Sequence, residues 1–91
     1  MRDKQFFINS IKMDLLRVVT AAGNLNNPIP QESVNEFLTH AINDFDKTSL
    51  DEKDKMFKKQ LINLRDSLTS INDPHKRLRW TEDVLTIRCR I

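Results

Sequence analysis

Residues 85–91 read LTIRCRI, and how they fold decides the fold of the whole chain. Leu85, Ile87, Cys89 and Ile91 alternate strictly with polar residues, as in a half-buried strand. Read with the residues before them, Trp80, Val84, Ile87 and Ile91 instead fall on one helical line, with Leu78 and Leu85 beside it. No second strand is visible in the chain to pair with LTIRCRI. The segment is therefore expected to be helical; as a strand it would need another chain as its partner.

The preceding residues support a helix start. In NDPHKRLRW (72–80), Asn72 or Asp73 can cap the first turn, and Pro74 suits its first position. Upstream, Phe57, Leu61, Leu64, Leu68 and Ile71 step by four and three, a heptad-like seam. Ser49 and Glu52 form a capping box at its head, with Asp51 and Asp54 favoured by the helix dipole. A continuous third helix from about Ser49 to Ile71 would be roughly 30 Å long and would be the spine of the fold. Val34, Phe37, Leu38, Ala41, Ile42 and Phe45 define a second helix over Gln31–Phe45, expected to lie antiparallel to the third. Ile8, Ile11, Leu15, Val18, Val19 and Ala22 define a first helix over Asp3–Ala22. Gly23 and Asn24 suit a left-handed cap after it, and the two prolines of LNNPIPQ break the chain there.

The 91 residues allow one domain, 1–91, with a small core. Charged residues make up 31% and hydrophobic ones 38%, which suits helices with one solvated face. A single glycine argues against a many-stranded fold. The expectation is an all-α domain, a small four-helix bundle or an orthogonal helical array.

A net charge of +2 is too balanced to imply nucleic acid by itself. Its distribution is uneven: residues 31–54 carry seven acids and two bases, and residues 74–91 five bases and two acids. The two segments are expected to attract each other within the fold. One cysteine rules out an intrachain disulfide and a thiolate zinc site. The N-terminus is charged, without the apolar run of a secretory signal, and no stretch is long enough to span a membrane. A cytoplasmic setting is the default expectation.

Signals for chemistry are sparse. His40 has Glu36, four residues earlier, as its obvious carboxylate partner on its own helix, and reads as a surface or boundary histidine. His75 reads as an exposed cap-region residue. Asp44, Asp46 and Thr48 match the first positions of a calcium loop, but Ser49 stands where glycine must turn and Lys55 where a bidentate glutamate is needed. Cys89, between Arg88 and Arg90, is expected to be a buried, inert thiol. No phosphate loop is present, and the reading is of a non-enzyme without metal or cofactor.

Two positive functions remain. The first is a small adaptor or regulator that binds another protein, with a homodimer as one form. Phe6, Phe7, Met13 and Met56 lie outside the main apolar stripes; they are expected to widen the core, the other reading being an exposed patch. The alternative is a nucleic-acid-binding regulator, with Lys76, Arg77 and Arg79 on phosphates and Trp80 on a base. In that case Trp80 must be exposed, whereas its register with Val84 and Ile87 places it in the core.

Asp73, Pro74, Lys76, Arg77 and Trp80 in DPHKRLRW, following the helix MFKKQLINLRDSLTSI, resemble part of a J domain of heat-shock co-chaperones. In that family an antiparallel helical hairpin carries a His-Pro-Asp loop and is followed by a short helix with an Asp-Pro-x-Lys-Arg-x-x-Tyr type opening. The resemblance covers about residues 14–80. The loop would be DFDK (44–47), where only Asp46 and Lys47 match the family. The missing His-Pro implies a degenerate scaffold that binds without stimulating a chaperone.

Overall fold

The computed structural model describes residues 3–24, 26–48, 51–71 and 73–91. Their helices are α1 (Lys4–Gly23), α2 (Gln31–Asp46), α3 (Glu52–Asp66) and α4 (Pro74–Arg90), with a 3-10 turn at Leu68–Ser70. The fold is a small all-α bundle, and no strand occurs among the described residues. LTIRCRI is helical to Arg90. Its alternation is a by-product of the 3.6-residue period: Ile87 faces the core, while Leu85 and Cys89 face outward.

Three helices start on an aspartate cap. Asp3 accepts from the Phe6 amide at 3.0 Å, Asp51 from Asp54 at 2.8 Å and Asp73 from His75 at 2.8 Å. Each satisfies an amide that the helix leaves without a partner. The cap of α3 is therefore Asp51. The expected capping box involves Ser49, which lies outside the described residues; likewise Asn72 lies outside them at the start of α4.

The end of α1 differs from expectation. Gly23 is the last residue of the helix, and neither it nor Asn24 adopts a left-handed conformation. The guanidinium of Arg77 does the work of a cap. Its Nε donates to the Ala22 carbonyl at 2.8 Å, Nη2 to Asn24 at 2.7 Å and Nη1 to Asn27 at 2.8 Å. A planar fork of fixed donors can gather three carbonyls at once, so the chain has no need of a positive φ here.

The third helix is shorter than its apolar seam suggests. It stops at Asp66, which makes it roughly 22 Å long. The Leu64 carbonyl accepts the Trp80 indole Nε1–H at 2.9 Å and the Ser67 hydroxyl at 3.0 Å. A 3-10 turn follows, and its three-residue period keeps Leu68 and Ile71 buried on one side.

The spine is α1, not α3. It packs most extensively on α2 and then on α4, whereas α3 touches α4 only lightly. All three main pairings are antiparallel. Ser10 and Asp14 of α1 meet Asp44 and His40 of α2; Arg65 and Lys58 of α3 meet Thr39 and Asp46 of α2; Arg77 and Arg88 of α4 meet Ala22 and Lys12 of α1. Ile11, Leu15, Val18, Leu38, Phe45, Phe57, Leu61 and Val84 fill the centre, and Trp80 closes it beside α3.

The charged segments do not pair as expected. Among the described ion pairs, Asp44, Asp46, Asp51 and Asp54 engage Lys4, His40, Lys47 and Lys58. The C-terminal Arg77 and Arg88 are spent on backbone carbonyls of and beyond α1.

Candidate functional site

The basic helix start divides into two parts. Trp80 is buried at 3% exposure, so its ring is in the core and not on the surface. Arg77 holds the end of α1. Lys76 and Arg79 are exposed and, with the edge of Trp80 and with Ile71, line a shallow hollow between the end of α3 and α4. A deeper cleft of about 540 Å³ lies alongside, where α3 and α4 diverge over Phe57, Leu64 and Ile87.

The off-stripe apolar residues do not widen the core. Phe6, Met13, Leu16, Met56, Leu78 and Leu85 are 40–49% exposed, and Phe7 is half-buried with its ring edge-on to Phe6 at 5.3 Å. The reason is that α1 already buries a complete stripe through Ile8, Ile11, Leu15, Val18 and Ala22, so Met13 and Leu16 must point away. On α4, Leu78 and Leu85 lie beyond the side that meets α1. The antiparallel register set by Arg77–Ala22 and Arg88–Lys12 brings Leu85 level with Leu16. Phe6 and Met13 are seven residues apart, as are Leu78 and Leu85. Each of these pairs therefore lies on one exposed side of its own helix.

A polar cluster joins α1 to α2. Asp14 and Asp44 are 3% and 2% exposed. His40 Nδ1 lies 2.5 Å from Asp14 Oδ2 and 3.5 Å from Asp44 Oδ2. The Ser10 hydroxyl donates to Asp44 Oδ2 at 2.7 Å. The outer oxygens are held separately: Asp14 Oδ1 by Arg17 at 3.4 Å and Asp44 Oδ1 by Lys47 at 3.6 Å. The hydrogen bond to Asp14, aided by the charges of Asp14 and Asp44, raises the His40 pKa above its ordinary value. Desolvation and Lys47 oppose the shift.

Sequence reading missed this cluster because His40's nearest partner is not on its own helix, and because Asp44, four residues on, was passed over as its second. Glu36 is exposed, and the carboxylate that matters is Asp14, twenty-six residues away. The only available signal was polar: Asp14 sits inside an apolar stripe, four residues from Ser10, as Asp44 is four from His40.

Asp44 and Asp46 belong to α2 and turn to opposite neighbours, Asp44 to Ser10 and His40 and Asp46 to Lys58. One further expectation is corrected. Cys89 is exposed, not buried, because it falls on the same outward side of α4 as Leu85.

No helix is long and apolar enough to cross a membrane among the described residues. No protein-family model, no curated protein and no solved structure matches the chain significantly.

Proposed function

We propose that this protein is a small non-enzymatic interaction module, an adaptor or regulator, that binds another protein through the outer face of α1 and α4. The observation that carries this is that Leu16 and Leu85, at one level of two antiparallel helices, stay 40% and 41% exposed, as do Met13 and Leu78 on the same helices at 49% and 48%. Leaving large aliphatic side chains in water forgoes the transfer free energy of their burial, about 25 cal/mol per Å². An antiparallel helix pair with apolar residues seven apart is the shape on which a second helix pair packs. The same surface on a second copy would meet it symmetrically, so a homodimer is the first form of this reading.

The J-domain resemblance enters the same reading as a scaffold kept for binding. The alternative, a nucleic-acid-binding regulator, rests on Lys76 and Arg79, since Trp80 is buried and Arg77 is engaged.

Light scattering after gel filtration tests the proposal. The wild-type protein should show a concentration-dependent two-copy mass, and Leu16→Glu and Leu85→Glu should both be monomeric with unchanged helical circular dichroism. A wild-type monomer whose Leu85→Glu form retains the same co-purifying proteins from its native cell would overturn it.

A further inference from the structure

We propose that Asp14, His40 and Asp44 form a binding site for a divalent cation of the zinc type, clamping α1 to α2. The site is built from two i,i+4 pairs on antiparallel helices, Ser10 with Asp14 and His40 with Asp44. The imidazole and two carboxylate ligand atoms all lie within 4.8 Å of one another. Both Oδ2 atoms converge on His40 Nδ1, and both Oδ1 atoms are held outside by Arg17 and Lys47. This is the division of labour expected of a metal site, in which outer partners orient the carboxylates that bind. Ser10 adds a hydroxyl at Asp44 and fixes that carboxylate further.

Donor chemistry selects the cation. One imidazole nitrogen and two carboxylate oxygens suit a borderline divalent ion, whereas calcium and magnesium want six or more oxygen donors. Zinc bonds of about 2.0–2.2 Å place tetrahedral ligands roughly 3.3–3.5 Å apart. The His40–Asp44 separation is already 3.5 Å. His40 Nδ1 and Asp14 Oδ2 are hydrogen-bonded at 2.5 Å, with one proton between them. A cation would take that proton's place, with the imidazole proton released to solvent. The adjustment falls on His40, whose side chain is 56% exposed and can swing outward without disturbing the core. That exposure also gives the ion its entry path and leaves the fourth position to water. Arg17 and Lys47 oppose a cation by repulsion, so the affinity should be micromolar and not that of a buried thiolate site.

Titration calorimetry of the full chain with zinc chloride tests this. One ion should bind with micromolar affinity and proton release, and raise the melting temperature. His40→Ala should weaken binding by about tenfold or more. A Cys89→Ser, His75→Ala double variant should bind as the wild type does. As a readout independent of any variant's folding, zinc should shift the His40 imidazole resonances of the wild-type protein and leave those of His75 in place. Absence of binding at a hundred-fold range above micromolar, binding unchanged in His40→Ala, or binding lost in the Cys89, His75 variant would each overturn the site.

Discussion

Asp14 of α1 and His40 of α2 meet at 2.5 Å across twenty-six residues of sequence, with one partner buried and the other open to solvent. A carboxylate taken out of water needs compensation, and here it comes from an imidazole whose own chain segment lies on the neighbouring helix. The contact makes the α1–α2 pairing sensitive to protons. In buffer containing a chelator, the raised His40 pKa contributes stability that is fully present below the ordinary imidazole value of 6.5. That contribution is lost as pH rises through the raised value. Urea midpoints taken across this range should fall for the wild type and change much less for His40→Gln. Equal pH dependence in the two proteins would show that the pair is not linked to folding.

Arg77 is worth more than a surface arginine. It satisfies carbonyls of Ala22, Asn24 and Asn27, and its loss would leave the end of α1 without a cap. Arg77→Ala should lower the unfolding free energy by about 2–3 kcal/mol, the range for lost hydrogen bonds to a charged group. Arg77→Lys should recover only a small part, since an ammonium cannot reproduce the fork. Denaturant unfolding of the three proteins measures the order.

Trp80 combines a buried ring with one polar obligation, the bond to the Leu64 carbonyl. Its fluorescence should be blue-shifted and resistant to iodide in the native protein. Trp80→Phe should cost about 1–2 kcal/mol, from the lost indole hydrogen bond and lost volume. Trp80→Ala should cost about 3–5 kcal/mol and threaten folding.

The aspartate caps provide a milder series. Asp3→Ala, Asp51→Ala and Asp73→Ala should each destabilise by about 1 kcal/mol. Asp51 also faces Lys4, and its pKa is lowered mainly by the Asp54 amide bond. Its contribution should therefore persist above the ordinary carboxylate range and fall away on acidification through the lowered value. Thermal melts at neutral and acid pH, compared with Asp51→Asn, check the direction.

Helical periodicity was enough to reveal the four helices and most of the core. The stripes of α1, α2 and α4 are continuous in sequence, and removing them from water requires little more than mutual packing. The cap at Asn72 or Asp73, the proline after it and the buried register of Trp80 were legible for the same reason: each is a short-range effect. What periodicity could not supply was competition between distant groups. The seam through Leu68 and Ile71 continues past the end of α3, but Trp80 and Ser67 occupy the Leu64 carbonyl, and the helix gives way to a 3-10 turn. Gly23 has the freedom to turn left-handed, yet Arg77 from the far end of the chain removes the need. Met13, Leu16, Leu78 and Leu85 look like core in number, but the bundle has one interior, and α1 and α4 each had a better face to put there. By itself, then, the sequence determined which residues become helices and which side of each helix is apolar, because local hydrogen bonding and spacing set both. Only the tertiary structure decided that His40 belongs to Asp14 and Asp44, that Arg77 holds the end of α1 while Trp80 is buried, and that Met13, Leu16, Leu78 and Leu85 stay exposed. Those are properties of antiparallel helix registers, and a register is fixed by packing among segments far apart in the chain.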